Sequence, residues 1–162
     1  MAIITLNNNS LTNITSLPTG VGGKVLQILT DTFTGQVSSS SATHSDTGLE
    51  ITITPNSSLS KFLCLITHAG CFRNGTAGSD QQLVQTISGG ATTTVTLTPN
   101  LLYSSTSGEF LGHLGSQILM SPATSSNITY KTQFNRQAGT GSFQICQDGH
   151  ETSSLTIMEI AG

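Results

Sequence analysis

Apolar residues in this chain recur at every second position in short runs, and no segment holds a sustained three-and-four spacing. Leu49-Glu50-Ile51-Thr52-Ile53-Thr54 alternates strictly and stops at Pro55-Asn56, and Thr93-Thr94-Val95-Thr96-Leu97-Thr98 alternates and stops at Pro99-Asn100. A period of two marks a strand with one buried face, and Pro-Asn is turn chemistry. Further strand-like runs lie at 24–30, 82–87, 116–120, 127–134, 142–146 and 154–160, separated by Gly, Pro, Asn and Ser. Lys61-Phe62-Leu63-Cys64-Leu65-Ile66-Thr67 is continuous rather than alternating, as expected of a central strand covered on both sides. Eight or so short strands without helices predict an all-β chain, an antiparallel β-sandwich, with the jelly roll as the most economical arrangement.

Composition narrows the function classes. At 162 residues the chain is long enough for one domain and one core. Charged residues make up 8%, against about 25% in an average soluble protein, while Ser and Thr together supply 48 positions. With 35% hydrophobic residues and a net charge of −3 the chain is not a disordered one. Five scattered Lys and Arg cannot neutralise a phosphate backbone, which argues against nucleic acid. No apolar run approaches the ~18 residues of a membrane-spanning helix. The opening MAIITLNNNSLTN has neither the basic region nor the apolar stretch of a secretory signal. Cys64, Cys71 and Cys146 are odd in number and sit in apolar contexts, so they are read as buried thiols, with one disulfide as the lesser option. Assembly in a reducing cytoplasm is the simplest expectation.

Residues 1–22 differ from the rest. Ile3, Ile4, Leu6, Leu11, Ile14 and Leu17 are interleaved with Asn, Ser and Thr, and a Pro18/Gly20/Gly22/Gly23 hinge follows. Six aliphatic side chains need burial. The chain therefore divides into an extended N-terminal arm (1–22) and a β-sandwich domain (23–162). The arm packs either as an extra strand on its own sandwich or on another chain, and its six aliphatics are the candidate partner-binding residues.

Catalytic and metal-binding patterns are sparse. His68-Ala69-Gly70-Cys71 puts a His and a Cys at a chelating spacing without a second pair, and His44, His113 and His150 fall in expected loops. No serine lies in a GxSxG turn. Thr19-Gly20-Val21-Gly22-Gly23-Lys24 lacks the leading Gly and the Ser or Thr of a phosphate loop. Eight acids, two Tyr and no Trp are poor material for cleaving sugars. The Asn13, Asn74 and Asn127 sequons are expected by chance in so Asn- and Thr-rich a chain. No catalytic residue, metal or cofactor is expected, and an enzyme is disfavoured.

Four stretches resemble small virion modules of tailed bacteriophages, especially those of cyanobacteria and marine bacteria. They are Ile14-Thr15-Ser16-Leu17-Pro18 leading into Gly22-Gly23-Lys24-Val25-Leu26-Gln27; Thr47-Gly48-Leu49 with Ile53-Thr54-Pro55 and Ser60-Lys61; Ser121-Pro122-Ala123-Thr124 with Thr129-Tyr130-Lys131-Thr132-Gln133-Phe134; and Ser154-Leu155-Thr156-Ile157-Met158-Glu159-Ile160-Ala161-Gly162. The likeness runs from about Leu11 to Gly162 and is loosest from Cys71 to Gly115. It implies a β-sandwich virion protein, often a homotrimer. A module this short, without a fibre shaft, points to a capsid decoration or cement protein on the capsid exterior, its arm clamping the major capsid protein. The alternative is a short tail-fibre or spike tip that recognises the host surface, with contacts in the loops 71–81 or 102–115, where Tyr103 and Phe110 lie. A polysaccharide-cleaving enzyme is a third, weaker option.

Overall fold

The computed structural model describes residues 24–162, so the predicted arm and its six aliphatics lie outside the described residues. Ten strands follow in order: β1 (Val25–Phe33), β2 (Val37–Ser39), β3 (Ser45–Ile53), β4 (Lys61–Arg73), β5 (Ser79–Ile87), β6 (Thr92–Leu101), β7 (Phe110–Met120), β8 (Ile128–Phe134), β9 (Phe143–Ile145) and β10 (Ser153–Ile160). One 3-10 turn, Gln147–Gly149, joins the last two.

The long strands pair as a nested hairpin. β1 pairs β10, β3 pairs β8, β4 pairs β7 and β5 pairs β6, all antiparallel. Rolling that hairpin places the pairs alternately in two sheets, β1-β10-β4-β7 and β3-β8-β5-β6. This is the jelly roll expected from the strand number. The short β2 and β9 pair with each other and extend the first sheet.

β4 runs farther than its apolar stretch suggested. The His68-Ala69-Gly70-Cys71 segment continues the strand to Arg73 through a bulge, because β4 changes neighbours there. One edge keeps β7 along its whole length. The other pairs β10 up to Thr67 and β9 from Phe72 onward. Gly70 makes the kink possible: its φ is +56°, and a Cβ there would meet the Glu151 carboxylate at 2.8 Å.

Between the sheets lie two apolar clusters. The larger joins Leu49, Ile51 and Ile53 of β3 to Phe62, Cys64 and Ile66 of β4, Leu83, Tyr130, Leu155 and Ile157. The smaller gathers Cys71, Leu114, Phe134, Phe143, Ile145 and Cys146. Separating them is a buried polar layer. His68 Nδ1 is bonded to Gln81 Oε1, and Nε2 lies 3.0 Å from Thr132 Oγ1. Thr132 in turn meets Thr47 Oγ1 at 2.5 Å. The layer crosses from β4 to β5, β8 and β3, so it ties the two sheets together.

Candidate assembly surface

Strand alternation gives each sheet one outward row set, and the two sets differ in chemistry. On β1-β10-β4-β7 the register lines up Ile28, Met158, Leu63 and Leu119 in one cross-strand row. Thr30, Thr156, Leu65 and Gln117 form the next, and Thr32, Ser154, Thr67 and Gly115 the third. None of these side chains is charged; the row beyond Met158 and Leu63 pairs Ile160 with the exposed Lys61. Ile28 and Leu119 are more than half exposed, at 55% and 54%. A shallow groove runs between β4 and β7 along Leu65, Thr67, Gly115 and Gln117, where Gly115 contributes no side chain.

This face corrects one expectation. The continuous apolar run 61–67 was expected to be covered on both sides. Phe62, Cys64 and Ile66 do point into the core, but among the described residues no layer covers Leu63 and Leu65 on the outside.

The β3-β8-β5-β6 sheet presents different rows. Asp46, Gln133 and Gln82 are joined by hydrogen bonds of 2.6 and 2.8 Å, and Lys131 forms an ion pair with Asp46 at 3.0 Å. Thr52 and Thr129 share a 2.8 Å hydroxyl contact, and Thr86 and Thr92 one of 3.3 Å. Burial works against the Asp46 charge, yet hydrogen bonds from Gln133 and Lys131 and the nearby ammonium keep its carboxyl below the ordinary value.

The loops considered for host recognition are mostly not free loops. From Cys71 to Gln81 the chain is strand at both ends, and its middle pairs with the 138–142 segment: Asn74 N–H donates to Ser142 O at 3.2 Å and Thr76 N–H to Thr140 O at 3.1 Å. From Leu102 to Gly115, the part beyond Phe110 is β7. His113 therefore stands on a strand rather than in a loop, its Nδ1 accepting from Gly70 N–H at 3.3 Å. Tyr103 and Phe110 are about half exposed at this end. Phe110 lies under the Arg73 guanidinium, 4.4 Å from the ring centroid. Arg73 itself is buried and donates to the carbonyls of Gly75 and Gly108, holding the loop ends together.

The groups with reactive potential are engaged in structure. Cys64, Cys71 and Cys146 are all free and buried, in line with the thiol reading. Burial pushes the Cys64 thiol up to about 12 and Cys71 to about 11, far from a nucleophile. The His68–Cys71 pair cannot chelate as it stands, because both ring nitrogens of His68 are committed to Gln81 and Thr132. Among the described residues, no three His, Cys, Asp or Glu side chains converge in a way that could hold a metal. Sequence reading missed Glu159, a buried carboxylate. It accepts from Asn56 N–H and Asn56 Nδ2 at 2.7 Å each and from Gln27 Nε2 at 2.5 Å. Burial opposes its charge, but these donors hold the carboxyl below its ordinary value. The alternation of β10 could have flagged it, since Glu159 occupies an inward position between Ile157 and the chain end.

No family model matches the chain, and no curated protein matches it. Solved structures similar to it include infectious bursal disease virus, Gx strain, at a TM-score of 0.42 and 13% identity, covering 85% of this chain and 33% of that one. The VP2 subviral particle of the same virus gives 0.41 and 14%, covering 83% and 39%. The chain thus spans between a third and two fifths of the length of these structures. At such scores the fold rests on the strand order itself, and by that order the chain is a jelly roll with an Asp46–Lys131 ion pair on one outer face and the apolar row Ile28–Met158–Leu63–Leu119 on the other.

Proposed function

We propose that this chain is a structural protein of a virion, a capsid decoration or cement protein that binds the outside of the head and stabilises it. The apolar row Ile28–Met158–Leu63–Leu119 on the outer face of the β1-β10-β4-β7 sheet, with Ile28 and Leu119 more than half exposed, is the observation that supports this most. Contiguous apolar area on a soluble domain marks a contact surface, and a sandwich tied internally by His68, Gln81 and Thr132 presents it without rearrangement. The four ordered motifs that resemble phage virion modules support the same reading. In it, Ile3, Ile4, Leu6, Leu11, Ile14 and Leu17 of the arm bind the shell, whose partner protein is a major capsid protein. The mechanism is mass action: a protein that binds only the assembled shell stabilises it by about 2.7 kcal/mol per site when present at ~100 times its Kd.

The half-exposed Tyr103 and Phe110 favour a second reading, a tail-fibre or spike tip that grips the host surface. Immunogold labelling of intact particles with an antibody to the purified chain separates the two. Gold distributed over heads supports decoration, gold confined to the tail tip supports host recognition, and unlabelled particles reject both.

A further inference from the structure

We infer that β7 is a pairing edge whose occupant is the β7 of a second copy of this chain, joined antiparallel about a two-fold axis at Gly115. The inference does not rest on the virion reading.

The first observation is the state of the sheet edges. An edge strand exposes a row of unpaired amides and carbonyls, and folded proteins blunt such edges with charge, proline, bulges or shortness. Here β1 carries Asp31 and a bulge between Val25 and Gln27, and β2 is three residues long. β3 carries Asp46, Glu50 and a bulge between them, and β6 contains Pro99. β7 runs eleven residues without Asp, Glu, Lys, Arg or Pro, and it pairs β4 without interruption from Met120 to Leu114. Among the described residues no strand lies on its other edge.

The second observation identifies the occupant: the outward side of β7 reads the same in both directions. Leu111, His113, Gly115, Gln117 and Leu119 run aliphatic, polar, glycine, polar, aliphatic, and all five are exposed. An antiparallel copy centred on Gly115 therefore sets Leu111 against Leu119, His113 against Gln117 and Gly115 against itself. Leu111 and Leu119 are 55% and 54% exposed, so each cross-copy pair covers two aliphatic side chains that one chain leaves in water. His113 Nδ1 accepts from Gly70 N–H, which puts the neutral ring's proton on Nε2, a donor for the Gln117 amide oxygen of the copy. Moving the centre by one residue would set Leu119 against Glu109 or His113 instead. A contact that uses the same patch on both chains is isologous and closes as a pair.

Charge agrees with this register. Lys61 is exposed at the start of β4, and Glu109 is exposed just before β7. Continuing the β4–β7 register by one residue puts Lys61 beside Ser121, and the two-fold puts Ser121 beside the copy's Glu109. The ammonium and that carboxylate then stand two strands apart, ~10 Å between Cα atoms, at both ends of the seam. Arg73 is already committed to the Phe110 ring and to the carbonyls of Gly75 and Gly108. Pairing also lengthens the row Ile28–Met158–Leu63–Leu119 by the copy's Leu111 and Phe72, which are paired with each other within each chain.

Engineered cysteines in the full chain test the register. A side chain added at Gly115 meets open space, and the native cysteines are buried. Directly opposed residues have Cα atoms about 4.5–5.5 Å apart, within a disulfide's span. With oxidised glutathione accepting the two electrons, Gly115→Cys is expected to run on a non-reducing gel at twice 16.8 kDa. Leu111→Cys and Leu119→Cys each lie ~27 Å from their own counterparts, so each alone stays at 16.8 kDa and only their mixture cross-links. A Leu111→Lys, Leu119→Lys double variant alters only exposed side chains. It keeps the wild-type circular dichroism spectrum and sediments at half the wild-type mass. Gly115→Cys remaining a single chain, either leucine-site cysteine cross-linking alone as fully as Gly115→Cys, or the lysine variant keeping the wild-type mass would each overturn the inference.

Discussion

The two sheets share a core and a strand order, and they treat their outer faces in opposite ways. The β3-β8-β5-β6 face is finished: Asp46, Lys131, Gln133 and Gln82 satisfy one another, and threonine hydroxyls pair across Thr52–Thr129 and Thr86–Thr92. The β1-β10-β4-β7 face is unfinished, with Ile28 and Leu119 standing in solvent at the two ends of an apolar row. Pleating alone would allow either surface on either sheet. The difference shows that polar finishing of a sandwich is local, and that an unfinished apolar row is a contact surface rather than a defect of the fold.

Both faces exist only while the sheets stay joined, so the largest effect is expected from the layer that joins them. His68→Ala leaves the buried Gln81 Oε1 unpaired and Thr132 with Thr47 alone, and opens a cavity between the two apolar clusters. Urea unfolding should show a loss of about 2–4 kcal/mol, and a loss under 1 kcal/mol would mean that the layer does not tie the sheets. Glu159→Gln should follow, at about 1–3 kcal/mol, since a buried carboxylate with three donors becomes an amide that must turn a donor toward donors.

Acid should separate these two contributions. Burial lowers the His68 pKa in the folded state, so the unfolded chain binds the proton first. Stability then declines as pH falls below the unfolded histidine value of about 6.5. Glu159 and Asp46 have lowered folded values, so their contributions hold above about pH 4 and disappear as pH falls farther. A thermal-stability profile should accordingly show one decline beginning near pH 6.5 and a second below about pH 4. His68→Gln should remove the first and spare the second, and a profile unchanged by that variant would contradict the assignment.

The smallest effects sharpen the contrast between the faces. Asp46→Asn removes the exposed ion pair with Lys131, and unfolding should change by no more than about 0.5 kcal/mol, with the difference vanishing in high salt. Leu119→Ser should be equally mild toward unfolding, within about 0.5 kcal/mol, because the side chain is already more than half exposed. The two substitutions should part company in binding to virion heads, where only Leu119→Ser weakens attachment. Equal behaviour of both would erase the distinction between the faces.

Much of this architecture is legible in the residues. The alternation in Leu49–Thr54 and Thr93–Thr98 locates strands, since a one-residue slip would bury every threonine and expose every aliphatic. Burial of the three cysteines follows from their apolar neighbours. The continuous apolar run stops at Thr67, and only the neighbour change from β10 to β9 explains why the strand continues through Gly70 to Arg73. His113 was misplaced for the same reason: the glycines at 112 and 115 suggest a loop, whereas β4 supplies a partner that keeps Phe110–Met120 extended. The polar layer of His68, Gln81, Thr132 and Thr47 left no sequence signal, because its members come from four strands.

Local chemistry was thus sufficient for what depends on neighbours in the chain: strand positions, turns and the all-β class. Pairing partners were decided only in three dimensions, because cross-strand register is set between residues tens of positions apart. That register is what gathers Ile28, Met158, Leu63 and Leu119 from four strands into one row and leaves Asp46 and Lys131 on the opposite side. Each of these residues is unremarkable in its own stretch of chain, and the surface they make is a property of the folded sheet.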